Sequence, residues 1–145
     1  MKIFLLVITF WLLIGRIKST PRMLNKTLYM RDLQKLLNEQ NETFSSHDKE
    51  YVDTIKGLSV LALTVSGSLT MIYYMLIGSR FSSDMLMLIL SALQIVSVMI
   101  TFKRNFTNRM FSPNIEDYKF YRWYFLFNVI LDYIYYPLTI YMLLK

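Results

Sequence analysis

The sequence predicts an all-α integral membrane protein, built as a bundle of three long transmembrane helices. Three apolar runs, at residues 58–77, 85–102 and 123–144, each reach the roughly 18 to 20 residues that a helix needs to cross about 30 Å of hydrocarbon. The composition agrees, because 145 residues with 54% hydrophobic and 16% aromatic side chains are too apolar for an ordinary soluble domain. A short N-terminal hydrophobic helix and a cytoplasmic amphipathic helix complete the predicted fold.

We divide the chain into an N-terminal anchor or signal segment (1–18), a basic amphipathic segment at the membrane surface (19–56) and a transmembrane domain (57–145). The first segment has an apolar stretch of only 12 residues, 3–14, which covers about 18 Å, the length of a signal-peptide core. Small residues do not occupy both required positions before a cleavage site at Gly15 or Ser19. We therefore favour an uncleaved signal anchor, while a cleaved signal peptide and an interfacial helix stay open.

The surface segment is predicted to hold one basic amphipathic helix. Thr20 and Pro21 are typical of a helix start, with threonine as the N-cap and proline at the first helical position. Such a helix lies on an anionic bilayer surface, docks against a partner helix or packs over the ends of its own bundle. Residues 38–47 are polar and indicate a loop, after which the next helix leads directly into the first apolar run.

A second basic segment follows the second apolar run, where Arg104 and Arg109 are interleaved with Phe106 and Phe111. This pattern suits the headgroup layer, in which aromatic rings insert and cations meet phosphates. We therefore predict the lipid bilayer and its anionic headgroups as partners. Nucleic acid is not predicted, because the basic residues that give the net charge of +6 lie next to membrane spans.

Charge also predicts the orientation. Residues 16–56 contain eight Lys or Arg and residues 103–122 contain five, and two spans separate these segments, so both face the same side. The positive-inside rule makes that side cytoplasmic and places the C-terminus outside. An alternative with the opposite orientation is a glycosylated secretory-pathway protein, because Asn25, Asn41 and Asn105 each begin an Asn-x-Thr acceptor site.

Residue types exclude several classes of chemistry. The chain has no cysteine, which excludes disulfides, thiolate metal sites and cysteine nucleophiles. His47 is the only histidine, and the four glycines are scattered, so no phosphate-binding loop is formed. We therefore predict no cofactor, no metal site, no catalytic residue and no enzymatic activity.

Asp132 is the only ionisable residue well inside an apolar run. A charged carboxylate at the bilayer centre costs about 2.5–3.5 kcal/mol on insertion scales, so we expect it to face the bundle interior. Asn128 and Tyr135 share its helix face, and Gln94 in the preceding run offers an amide partner. Because none of the three runs contains a basic residue, we also expect Asp132 to be protonated.

These features favour a small non-enzymatic multipass protein that acts through helix-helix contacts as an accessory subunit, immunity factor or regulator. Its partner would be another membrane protein or a second copy of the chain. The alternative is a small proton- or ion-coupled transporter or channel in which Asp132, Asn128 and Gln94 line the path. Asp132→Asn separates the two, because a packing site tolerates the near-isosteric amide and ion coupling does not.

Overall fold

The computed structural model describes residues 1–106, 111–112 and 114–145, without the side chains of residues 105, 106 and 117. These residues form helices joined by short irregular segments, and no β-strand occurs among them. The all-α prediction is therefore confirmed. The helices are α1 (Lys2–Leu24), α2 (Lys26–Ser46), α3 (Lys49–Arg80), α4 (Met85–Phe106) and α5 (Arg122–Leu144), with a 3-10 turn at Ile115–Asp117.

Four of the described helices are long and apolar enough to cross a membrane, namely α1, α3, α4 and α5. They fit an integral membrane protein, and the three predicted apolar runs lie within α3, α4 and α5. The additional candidate is α1, whose 23 residues rise about 34 Å. The N-terminal helix is therefore not the short one that its 12 apolar residues suggested.

The predicted helix start at Thr20 and Pro21 is wrong, because both residues lie inside α1. The Thr20 hydroxyl donates a hydrogen bond to the Arg16 carbonyl at 2.8 Å, which satisfies a polar side chain within a helix. Helix α1 instead ends at Leu24, and Asn25 caps α2 by accepting hydrogen bonds from the backbone N–H groups of Thr27 and Leu28. The helix start lies five residues later than the sequence pattern indicated, at Asn25 instead of Thr20.

The loop predicted at residues 38–47 is also wrong, because α2 continues to Ser46. Its polar residues bond to each other along the exposed helix surface. Gln34 donates a hydrogen bond to Asn38 at 3.1 Å, and Lys35 pairs with Glu39 one turn further along. Such local pairs support a solvated helix without an apolar stripe.

The spanning helices pack as antiparallel neighbours. A turn at residues 81–84 joins α3 to α4, α4 packs on α5, and α5 packs along α1. Both termini and the 81–84 turn therefore lie at one end of the bundle, which we call the terminal end. The opposite end, which we call the α2 end, carries α2 and the 3-10 turn.

The core of the bundle lies toward the terminal end and is rich in tyrosine. Tyr73 and Tyr74 of α3 are buried beside Tyr135 and Tyr136 of α5, and the rings of Tyr74 and Tyr135 meet edge to face at 5.3 Å. We call these four side chains the tyrosine layer. Buried apolar residues of the spanning helices surround it, including Leu5, Ile77, Met87 and Leu143.

Candidate functional site

A cavity of about 550 Å³, lined by both apolar and polar side chains, lies between the four spanning helices. Tyr29, Arg104 and Tyr124 line its outer part at the α2 end, and Tyr74 and Tyr136 of the tyrosine layer line its inner end. This volume is typical of small-molecule binding sites. The polar side chains that line it between the two ends are Arg16, Ser19, Ser66, Thr70, Gln94, Ser97, Thr101 and Asn128.

Asp132 lies behind the wall of this cavity and is almost completely buried, with 1% of its surface exposed. Its Oδ2 atom is 2.5 Å from the Nε atom of Arg16, and its Oδ1 atom accepts a hydrogen bond from the Gln94 amide at 2.7 Å. The expectation that no basic residue is available to Asp132 is therefore wrong. A cation on α1 supplies the counter-charge.

Sequence reasoning missed Arg16 because it placed this residue beyond the N-terminal apolar stretch, at the membrane surface. In the structure α1 continues past Arg16 and packs antiparallel on α5, so residues 16 and 132 reach the same level. The available signal was that no strong helix breaker precedes Pro21. Only packing, which the sequence pattern does not reveal, brings the two charges together.

Arg16 has hydrogen-bonding capacity beyond this ion pair. Its Nη1 atom contacts the Met23 sulfur at 2.9 Å, and Nε lies against Asp132. A guanidinium group carries five N–H donors, and Arg16 lines the cavity with about a quarter of its side chain exposed. The remaining donors are therefore available to a molecule in the cavity.

Helices α4 and α5 are joined by a ladder of side-chain hydrogen bonds. The pairs are Ser91 with Tyr135 at 3.2 Å, Gln94 with Asp132, Ser97 with Asn128, and Thr101 with Tyr124 at 2.5 Å. The four predicted intramembrane residues Asp132, Asn128, Gln94 and Tyr135 all belong to this ladder. Gln94 and Asn128 also line the cavity, whereas Asp132 and Tyr135 lie behind its wall.

The tyrosine layer separates the cavity from the terminal end. The hydroxyls of Tyr74 and Tyr136 are 2.7 Å apart, and those of Thr9 and Tyr73 are also 2.7 Å apart. Sequence reasoning singled out only Tyr135 of this layer. The signal for the others was the occurrence of two Tyr-Tyr pairs within apolar runs, because buried tyrosine hydroxyls need partners.

At the outer end of the cavity, the Arg104 guanidinium stacks on a group of aromatic rings. Its central carbon is 4.7 Å from the ring centres of Tyr121 and Tyr124, and 5.6 Å from that of Phe125. Such cation-π contacts orient the guanidinium without neutralising it. Among the described residues, Arg104 has no carboxylate partner.

Of the other three predicted surface residues, only Phe111 has a described side chain, and it does not line the cavity. Phe111 lies 6.0 Å from the Lys56 ammonium, at the α2 end. Arg109 and the side chain of Phe106 lie outside the described residues. Arg104 is therefore the member of this predicted group that the structure places at the site.

No group of three or more His, Cys, Asp or Glu side chains within the described ranges could hold a metal ion. Comparison with known proteins finds no match: no family model, no curated protein and no solved structure resembles this chain. The function must therefore be argued from the cavity itself.

Proposed function

We propose that the chain is a small, non-enzymatic, proton-coupled carrier that binds a small polar solute in the cavity and uses Asp132 as the coupling group. The observation that supports this most is the position of the Arg16–Asp132 ion pair, with Arg16 in the lining of a cavity between the spanning helices and Asp132 behind it. A structural ion pair needs no such cavity. Ionisable residues within membrane spans commonly mark the path of a substrate or a proton.

The ion pair provides a physical link between solute and proton. Arg16 shields Asp132 from the cavity, so a solute that draws Arg16 away leaves the carboxylate buried without its counter-charge. A buried unpaired carboxylate is costly, and binding a proton removes that cost. Solute binding and proton binding would therefore favour each other.

The tyrosine layer is proposed as the barrier on the far side. Carriers need a site that opens alternately to each side, with the binding site near the middle of the membrane. The cavity now extends toward the α2 end, and the hydroxyl pairs of Tyr74 with Tyr136 and Tyr73 with Thr9 hold the other side closed. Opening toward the terminal end would require these pairs to separate.

We further propose that the α2 end is cytoplasmic, with α1 as an uncleaved signal anchor and α2 at the membrane surface. Most Lys and Arg residues of segments 16–56 and 103–122 that the structure describes lie toward the α2 end, so this orientation follows the positive-inside rule. The termini and the 81–84 turn would then lie outside. In this orientation the described conformation faces the cytoplasm.

The test is proton flux into liposomes that contain the purified chain, a pH-sensitive dye and a low-molecular-mass cell extract as the source of solute. We expect an imposed pH gradient to collapse faster than in protein-free liposomes, and Asp132→Asn to abolish the difference. The matched control is Asp84→Asn, which keeps a capping side chain for the Met87 N–H, far from the cavity. Wild-type rates equal to those of empty liposomes would overturn the proposal.

A second candidate is an accessory or regulatory subunit that acts through helix contacts with another membrane protein or a second copy. Its support is the middle of α3, where every residue from 61 to 69 except Gly67 is exposed in the isolated bundle. Small side chains on this stretch, such as Ala62 and Ser66, allow close approach of a second helix. The test is purification from native membranes in mild detergent: a stoichiometric partner or a homo-oligomer supports this candidate, and recovery of the chain as a monomer contradicts it.

A further inference from the structure

We infer that the solute of this cavity is a small anion bearing a phosphate or carboxylate group, and that it binds Arg16 in place of Asp132. This inference rests on the proposed function and names its substrate class.

The first step concerns the sign of the charge on the residues that line the cavity. Its charged lining residues are Arg104 at the outer part and Arg16 further in, and both carry positive charge. The nearest carboxylate, Asp132, is shielded behind Arg16 and is not part of the lining. A low-dielectric cavity lined in this way attracts anions and repels cations.

The second step is the geometry of recognition. Two planar guanidinium groups line one cavity, and guanidinium matches carboxylate and phosphate oxygens through paired N–H donors. Arg104 is held against Tyr121, Tyr124 and Phe125, which fixes its plane. Asp132 lies seven residues after Phe125 on α5, so the two sites differ in depth by about 10 Å. Arg104 would capture the anion and Arg16 would receive it.

The third step is the alignment of the ion pair. The Asp132 Oδ2 atom lies 2.5 Å from Arg16 Nε without forming a well-aligned hydrogen bond. The pair is therefore held by charge without the bidentate geometry that makes such pairs strong. An anion in the cavity competes with this carboxylate for the same guanidinium. This geometry favours the replacement of Asp132 by an anion as the partner of Arg16.

The fourth step is the charge balance of the exchange. Besides Arg16 from α1, the titratable groups near Asp132 are Tyr74 from α3 and Tyr136 from its own helix, and α4 contributes only the Gln94 amide. None of these can replace the positive charge of Arg16. When an anion pairs with Arg16, a proton from solvent therefore binds the Asp132 carboxylate. When the anion carries one charge, one anion and one proton enter together, and the buried charge stays unchanged.

Two sources can supply such an anion. One is a free solute that reaches the cavity from the α2 end. The other is the headgroup of an anionic phospholipid, since α1 and α3 contact each other little and Gly15 and Ser66, which line the cavity, are exposed between them. Both share the chemistry inferred here, and the test separates them.

The test is calorimetric binding to the purified chain in nanodiscs of phosphatidylcholine, with inorganic phosphate and succinate as soluble probes. A parallel arm replaces part of the lipid with phosphatidylglycerol. We expect Arg104→Gln to weaken binding about tenfold or more, because a charge-assisted hydrogen bond is lost. Arg80→Gln, the same change at the terminal end, should leave binding unchanged. Arg104→Lys keeps the charge and should give an intermediate loss if the planar fork matters.

Titration in buffers of different ionisation enthalpy counts the protons taken up. We expect about one per bound anion in the wild type, and neither anion binding nor proton uptake in the double variant Arg16→Gln, Asp132→Asn. The double variant is used because it leaves no unpaired buried charge that would unfold the bundle. Binding of the soluble probes identifies a free solute, and a response confined to phosphatidylglycerol identifies a lipid headgroup.

The inference is overturned if neither soluble anions nor phosphatidylglycerol bind, or if binding is insensitive to Arg104→Gln. Its failure is distinguishable from that of the carrier proposal. If proton flux depends on Asp132 but no anion binds, the inferred substrate class is contradicted and the carrier proposal still stands. If anions bind in a manner that depends on Arg104 but no proton flux occurs, the carrier proposal is contradicted and the anion site still stands.

Discussion

The buried ion pair between Arg16 and Asp132 is the residue-scale feature on which the account depends. Two charges removed from water gain little net stability from each other, but removing one partner of such a pair is destabilising by about 3–5 kcal/mol. Asp132 is 1% exposed, and Gln94 is its only other described side-chain partner. Each charge is therefore stable only while its partner is present. A coupling site requires this dependence, and a packing site does not.

The first prediction concerns single and double variants of this pair. Arg16→Gln should lower the thermal unfolding midpoint in detergent more than the double variant Arg16→Gln, Asp132→Asn does, because only the single variant leaves an unpaired buried charge. The decrease in unfolding midpoint caused by Arg16→Gln should also become smaller as pH falls, since a protonated Asp132 needs no cation. A double variant that loses the sum of both single effects would contradict this reading.

At the scale of elements, the long apolar runs were the most predictable feature. Helices α3, α4 and α5 contain all three predicted runs, because length and hydropathy alone specify a span. The ladder between α4 and α5 was partly foreseen, since Gln94 was matched to Asp132 from polarity and helical spacing alone. Both inferences use information that lies within single helices.

The ends of α1 and α2 were not predictable in the same way. Pro21 indicated a helix start, but it lies in the last turn of α1. The polar residues after Asn38 indicated a loop, but local hydrogen bonds and an ion pair support a helix there. In both places the local preference is weak, and tertiary packing decides the boundary.

The second prediction concerns the contact between α3 and α4. A Cβ atom at Gly67 would fall within 3 Å of the Phe102 ring, which lines the cavity, whereas one at Gly57 would meet no atom within 4 Å. Gly67→Ala should therefore lower the free energy of unfolding by about 1–2 kcal/mol, the usual result of overpacking. Gly57→Ala is the matched control and should be neutral or slightly stabilising, because alanine favours a helix. Equal unfolding midpoints for the two variants would show that the contact is absent.

At the scale of the whole molecule, orientation decides which compartment the cavity faces. The chain has no cysteine, so single cysteines can be introduced without background. We predict that Ser45→Cys, at the α2 end, is labelled by a membrane-impermeant maleimide only after cells are opened. Ser82→Cys, in the turn at the terminal end, should be labelled in intact cells. The reverse pattern, together with glycan on Asn25 or Asn41, would establish the secretory-pathway alternative.

The most direct test of the carrier proposal asks whether the cavity opens to both sides of the membrane. Thr70 lines the cavity close to Tyr74, and its hydroxyl bonds only within its own helix, so Thr70→Cys is a mild probe. In sealed proteoliposomes of known orientation, we predict labelling from the α2 end at rest, and labelling also from the terminal end when anion and protons are supplied. Labelling that never occurs from the terminal end, under any gradient, would contradict alternating access and with it the carrier.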